Sequence, residues 1–190
     1  SKTVQTGVGA AIAAQGSGIA GIDMGSVFIK MNEDGSFNLN MGATDLGTGS
    51  DTALAQIGAE VLDIPINKII VYSSDTDMTP FDTGAYASST TYISGGAVKK
   101  AAENLKNKIL EQGKQFLGVK KAEIKNGYVI GAGGEKTSYS EICTKSFYSH
   151  NQKQLMATAS NMSYYSPPTF NATFAEVSVD TETGFVKVEK

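Results

Sequence analysis

Twice in this chain of 190 residues, a run of glycine and hydroxyl residues opens directly into an amphipathic helix. The longer instance begins Gly84-Ala85-Tyr86-Ala87-Ser88-Ser89-Thr90-Thr91. After it, Val98, Ala101, Ala102, Leu105 and Ile109 fall at i, i+3, i+4, i+7 and i+11, which is one apolar stripe. Lys99, Lys100, Glu103, Lys106 and Lys108 take the wet face. Gly95-Gly96 lies near the start of that helix, where glycine costs stability relative to alanine. The pair therefore predicts close approach of another backbone or of a ligand. The earlier instance is Gly42-Ala43-Thr44-Asp45-Leu46-Gly47-Thr48-Gly49-Ser50-Asp51-Thr52, leading into a helix over 53–62. Ser50, Asp51 or Thr52 is expected to cap it, and Ile64-Pro65 ends it. A helix start leaves up to four N–H groups without intrahelical partners at the positive end of the helix dipole, so each loop can hold an anion. Only one strand, 68–72, separates the two, so both can point at the same place.

The rest of the chain reads mostly as strands. Segments 27–31 and 37–41 alternate apolar and polar residues around Asp34-Gly35, a β-hairpin signal. Asn126-Gly127 marks a second hairpin between 122–125 and 128–130. Segment 8–14 reads as a buried strand. A short helix is expected from Thr137-Ser138 through Ile142, a strand over 155–159, a long strand over 170–179, and a last strand over 185–188. The chain reads as stopping within a domain. This order predicts an α+β fold: a two-layer arrangement of mainly antiparallel sheet with helices packed on one face. It is read as one incomplete domain over 1–190, or as two lobes with a boundary near 118–135.

Gly16-Ser17-Gly18-Ile19-Ala20-Gly21 matches the dinucleotide-binding pattern G-x-G-x-x-G letter for letter. The pattern requires its last glycines to open a helix. Here Ile22-Asp23-Met24-Gly25 and a strand follow, so the run is read as a loop. Asp75, Asp77 and Asp82 invite a calcium reading, but an EF-hand loop starting at Asp75 would need glycine at Pro80 and glutamate at Tyr86. They are read as turn formers. His150, the single histidine, sits in a polar stretch without a partner signature and is read as a surface residue. Cys143, the single cysteine, is read as a buried structural thiol. One cysteine excludes an internal disulfide and fits a reducing compartment, and a cytoplasmic setting is expected. Net charge is −3 without a basic patch, which argues against nucleic acid. No apolar run approaches a membrane span, so no membrane partner is expected. No spacing suggests a metal held by protein ligands. The two loops remain as binding equipment, with backbone N–H groups and hydroxyls but no general base.

At these loops the chain resembles the molybdenum hydroxylases, the xanthine dehydrogenase and aldehyde oxidase family. The stretches that carry the resemblance are Thr44-Asp45-Leu46-Gly47-Thr48-Gly49 with its helix and Ile64-Pro65, then Asp82-Thr83-Gly84-Ala85-Tyr86-Ala87-Ser88-Ser89-Thr90-Thr91 with Gly95-Gly96-Ala97-Val98. The tail Ala175-Glu176-Val177-Ser178-Val179-Asp180-Thr181-Glu182-Thr183-Gly184 is also similar. Order and spacing agree over most of the chain.

The resemblance implies part of the C-terminal molybdopterin-binding domain of the large subunit. Gly47, Thr48, Gly49, Ala87, Ser88, Ser89 and Thr90 are then the cofactor-binding candidates. The cofactor would be molybdopterin, alone or as a dinucleotide. Its dithiolene sulfurs hold the metal, which accounts for the lack of protein ligands. The complete enzymes hydroxylate purines, other N-heterocycles or aldehydes with water as oxygen source. They pass electrons through iron–sulfur clusters to FAD. Implied partners are the remainder of the molybdenum-binding subunit, FAD and iron–sulfur subunits or domains, and a small-molecule substrate. Two departures bear on substrate class: many members carry glutamine where Thr48 stands, and many bacterial members carry arginine at Ser89. The catalytic glutamate of the family lies in a Gly-Glu-Pro segment that this chain lacks, so no catalytic residue is assigned and the isolated chain is expected to be inactive. Read without the resemblance, the same loops also suit a non-catalytic module for a phosphorylated small molecule, or a structural domain with two well-capped helices.

Overall fold

In the computed structural model, residues 3–190 are described, and they separate into two compact units. The larger unit spans 18–166. Its centre is a mixed four-stranded sheet in the order β4-β3-β2-β8, formed by β2 (Met24–Met31), β3 (Phe37–Met41), β4 (Ile69–Ser73) and β8 (Met156–Met162). The β2–β3 hairpin forms as the Asp34-Gly35 turn demands, with Gly35 at φ 76° and Val27 opposite Met41. Strict alternation then puts Val27, Ile29, Met31, Phe37, Leu39 and Met41 on one face, each no more than 1% exposed. Each such side chain contributes about 1.5–3 kcal/mol by leaving water.

Two helices supply the cover. α1 (Ser50–Leu62) buries Leu54, Ala55, Ala59 and Leu62; α2 (Thr90–Leu117) buries Ala97, Val98, Ala101, Ala102, Leu105 and Ile109. The stripe read from the sequence is the one that meets the core. Because α1 connects β3 to β4, that pair runs parallel, whereas β2 runs antiparallel to β3 and β8. Gly95 and Gly96 do mark close approach, but to side chains. A Cβ at Gly95 would lie 2.9 Å from Ile57 Cδ1 of α1, and one at Gly96 would collide with the Asn161 amide of β8.

A three-stranded antiparallel sheet of β5 (Ala122–Lys125), β6 (Tyr128–Gly131) and β7 (Lys136–Ser138) follows, with Asn126 and Gly127 both at positive φ in its first turn. α3 (Tyr139–Tyr148) begins with a capping box between Ser138 and Glu141. The expected short helix is thus preceded by a strand and runs longer. Phe37 and Tyr139 meet edge to face at 5.8 Å.

The smaller unit, 3–17 with 167–190, is a ribbon. β1 (Val4–Gly16) pairs antiparallel with β9 (Pro168–Asp180) over thirteen residue pairs, and β10 (Val186–Val188) adds to β9. Segment 8–14 is therefore the strand expected, but it is not buried. Val8 and Ile12 are more than 70% exposed, as are Phe170 and Phe174 on the partner strand, which stand opposite Ala14 and Ala10. Apolar composition signals a surface that seeks cover; none of the described residues provides it. The whole is α+β, with mainly antiparallel sheets and helices packed on them.

Candidate functional site

The first loop leaves β3 at Gly42 and ends at α1. Gly49 is the N-cap, at φ 73°, and no side chain within the helix caps it. The expected caps Ser50, Asp51 and Thr52 lie inside the helix instead. Asp45 takes that role from outside: its Oδ1 accepts the N–H groups of Gly47 (2.8 Å) and Gly49 (3.1 Å), and its Oδ2 that of Asp51 (3.4 Å). Desolvation pushes the Asp45 carboxyl up, but the N–H groups of Gly47, Gly49, Asp51 and Thr48 together outweigh it and hold it below the ordinary carboxylate range. A carboxylate of the chain itself thus occupies the anion-favouring end of α1. Gly47, Thr48 and Gly49 are exposed, with open space where a Cβ on either glycine would sit. Beneath them, Ser50 Oγ and Asp51 Oδ1 are buried without a hydrogen-bond partner among the described residues, while Asp51 Oδ2 accepts the Ser73 hydroxyl at 3.0 Å.

The second loop is tied at its base by Asp82. Its Oδ1 accepts the Gly84 N–H at 2.9 Å and its Oδ2 the Ser94 hydroxyl at 2.6 Å. Asp75 likewise accepts from Asp77 and Met78 N–H groups. These aspartates are turn formers, and no group of three or more acidic, histidine or cysteine side chains among the described residues is placed to hold a metal. Above Asp82 the chain makes a sharp turn in which Ala87 (φ 48°) and Ser88 (φ 57°) are both left-handed. Two consecutive non-glycine residues there cost about 1–3 kcal/mol each, and such strain clusters at ligand clamps. Ser88 is exposed, Ala87 and Thr90 are half-buried, and Ser89 is buried with its hydroxyl donated to Gly84 O at 3.2 Å. Ser89 therefore works within the loop. Tyr86, just before the turn, donates its hydroxyl to Asp23, and that bond raises the phenol above its ordinary pKa.

The two loops converge at their feet. Gly42 has no room for a Cβ because Pro80 and Asp82 lie against it. A cavity of about 430 Å³ opens there, lined by Gly42, Thr44, Ser74, Thr79, Asp82 and Gly84 among others. None of the seven candidate residues lines this cavity; they stand on the two loops that rise from it. Sequence reasoning missed Asp45, whose position two residues before a glycine was the available turn signal, and Asp23, whose partner lies sixty-three residues away.

The whole chain, residues 1–190, matches the family model described as the molybdopterin cofactor-binding domain. The chain belongs to that family. It is 42% identical over 187 residues to the probable hypoxanthine oxidase XdhD of Escherichia coli K12, covering 97% of this chain and 20% of that protein. It is 34% identical over 168 residues to the putative xanthine dehydrogenase molybdenum-binding subunit XdhA of the same organism, covering 84% of this chain and 22% of that protein. Among solved structures, the reconstituted CO dehydrogenase of Oligotropha carboxidovorans superposes with a TM-score of 0.90 at 25% identity, over 99% of this chain and 25% of that one. This molybdopterin-binding chain thus spans about a fifth of the length of the curated relatives it matches.

The residues present fit such a group. The hydroxyls of Thr48, Ser88 and Thr90 are neutral groups suited to pterin and phosphate oxygens, although the Gly47 and Gly49 N–H groups already donate to Asp45 and the Ser89 hydroxyl to Gly84 O, and the buried Ser50 hydroxyl lacks a partner among the described residues. No helix among the described residues is long and apolar enough to cross a membrane.

Proposed function

We propose that this chain is the cofactor-contacting part of a xanthine dehydrogenase-like molybdenum hydroxylase that oxidises purines or related N-heterocycles or aldehydes with water as oxygen source. The observation that carries the proposal is the convergence of two glycine- and hydroxyl-rich loops, one of them strained at Ala87 and Ser88, on one cavity in a chain of this family. Molybdopterin, when bound, supplies the metal and the redox chemistry. The chain's own work is to bind and orient. Ser88 offers a hydroxyl and a backbone N–H at the exposed turn, and Thr90 a hydroxyl beside it. Gly47 and Gly49 leave the space above the first loop clear. Thr48 is too short to take the place of a glutamine there, which would bear on how substrate is held. The names of the relatives favour a purine substrate. FAD and iron–sulfur groups, the rest of the molybdenum-binding subunit, and a cytoplasmic location complete the reading.

The test uses the intact molybdenum-binding subunit. In Gly49→Leu, the side chain enters the cleared space and sits at φ 73°, so molybdopterin occupancy should fall severalfold. Ser88→Ala should weaken retention more mildly, by about the 0.5–1.5 kcal/mol of one net hydrogen bond. Full occupancy in the double variant would defeat the assignment of these loops. The isolated 190-residue chain should turn over neither hypoxanthine nor xanthine nor an aldehyde. The intact enzyme should favour the purines.

A further inference from the structure

The glycine run over 16–21 opens no helix, as the dinucleotide pattern would require, and the cofactor reading leaves it unused. In the fold, residues 18–23 form a strap against the second loop. The Gly18 N–H donates to Ala87 O at 2.8 Å, and the Ser166 hydroxyl donates to Gly18 O at 2.8 Å. Gly18 sits at φ 79°, and a Cβ there would lie 3.2 Å from Ile93 Cγ1 and 3.3 Å from Asp23 Oδ2. At the far end of the strap, Asp23 is completely buried. Its Oδ2 accepts the Ile19 N–H at 2.7 Å, and its Oδ1 accepts the Tyr86 hydroxyl at 2.5 Å. Among the described residues, no lysine forms an ion pair with it.

A buried carboxylate without a cation is tolerated only while hydrogen bonds fill its oxygens. Tyr86 therefore cannot swing out without leaving Oδ1 bare. Tyr86 is the residue immediately before Ala87, so its ring fixes one side of the turn and the Gly18 bond fixes the other. A trans peptide holds its N–H opposite its C=O. Anchoring Ala87 O to the strap consequently turns the Ser88 N–H away from the strap.

We infer that Asp23 is the positioning residue of the second loop: through Tyr86 and the strap it holds Ala87 and Ser88 in the left-handed turn that presents Ser88 to the cofactor. The clamp stands on its own contacts; only the identity of what the turn meets rests on the cofactor reading. Asp23 touches neither cofactor nor substrate.

Hydrogen exchange in the cofactor-free molybdenum-binding subunit reads the clamp directly, and release of molybdopterin from the loaded subunit reads its purpose. In Tyr86→Phe and Asp23→Ala, exchange at the Gly18 and Ser89 amides should rise about tenfold, the effect of losing one hydrogen bond to a charged acceptor. Protection at Leu105 and Ile109 inside α2 should stay unchanged. Asp23→Asn keeps an oxygen for Tyr86 and should restore part of the protection. Cofactor release should quicken in the same order of variants. Tyr86→Phe leaves the carboxylate in place and serves if Asp23→Ala fails to fold. Exchange that is unaltered at Gly18 and Ser89, or raised equally throughout α2, overturns the clamp. Raised local exchange with unaltered cofactor release upholds the clamp and overturns the cofactor reading of the turn.

Discussion

Cys143 lies on α3 with its side chain fully buried and its thiol directed at Met31 O, 3.6 Å away. Burial pushes the thiol up to about 11, with the carboxylates of Glu33 and Asp34 adding to the effect. Since the thiolate is the reactive form, this residue should be inert while the protein is folded. A thiol reagent at pH 8 should label it at the rate of global unfolding, and at once in denaturant; fast labelling of the folded chain would contradict the burial. The linkage has a definite sign. The folded value lies above the unfolded one of about 8.5, so the stabilising contribution is complete below that pH and is lost as pH rises through about 11. Tyr139, also buried, with its hydroxyl on Leu62 O at 2.8 Å, is pushed well above the ordinary phenol range and acts in the same direction.

Among the elements, α2 carries the heaviest structural demand, since it packs against α1, β2, β8 and the sheet of β5, β6 and β7. Gly113 lies where β6 crosses it: a Cβ there would sit 2.7–2.8 Å from three atoms of Val129. Valine is stiff at χ1 and cannot step aside. Gly113→Ala should therefore destabilise despite the roughly 1 kcal/mol that alanine gains in a helix, because overpacking costs about 1–3 kcal/mol. A lower thermal midpoint with no change in helix content is the expected outcome. Elements of this kind were legible in the sequence wherever their cause is local. Asp34-Gly35 and Asn126-Gly127 announce their hairpins by turn chemistry, and the apolar stripe of α2 announces its inner face. Asp45 was passed over in favour of Ser50, Asp51 or Thr52 as the cap because carboxylate-to-amide turns and helix caps use the same residue types. The partnership of Asp23 with Tyr86 had no local signal. Of the site, the loops could be seen as helix starts, but the left-handed turn at Ala87 and Ser88 could not, since neither residue favours it.

Among the described residues, every member of the hydrophobic core, from Val27 to Ala157, belongs to the larger unit, and the ribbon contributes none. Residues 18–166 excised from the chain should then fold alone, giving a dispersed amide spectrum and unchanged protection in α2. A collapsed species without fixed side-chain packing would show that the ribbon is part of the cooperative unit. The ribbon has another consequence, one of timing. Val4 pairs with Asp180, so the first strand of the chain waits for one of the last. During synthesis at about 5–20 residues per second, roughly ten to thirty-five seconds pass between the two. Through that interval β1, an apolar strand rich in alanine and glycine, is without the β9 residues it pairs with in the fold, while the larger unit between them is completed. The ribbon therefore closes late, after the residues it brackets have been made.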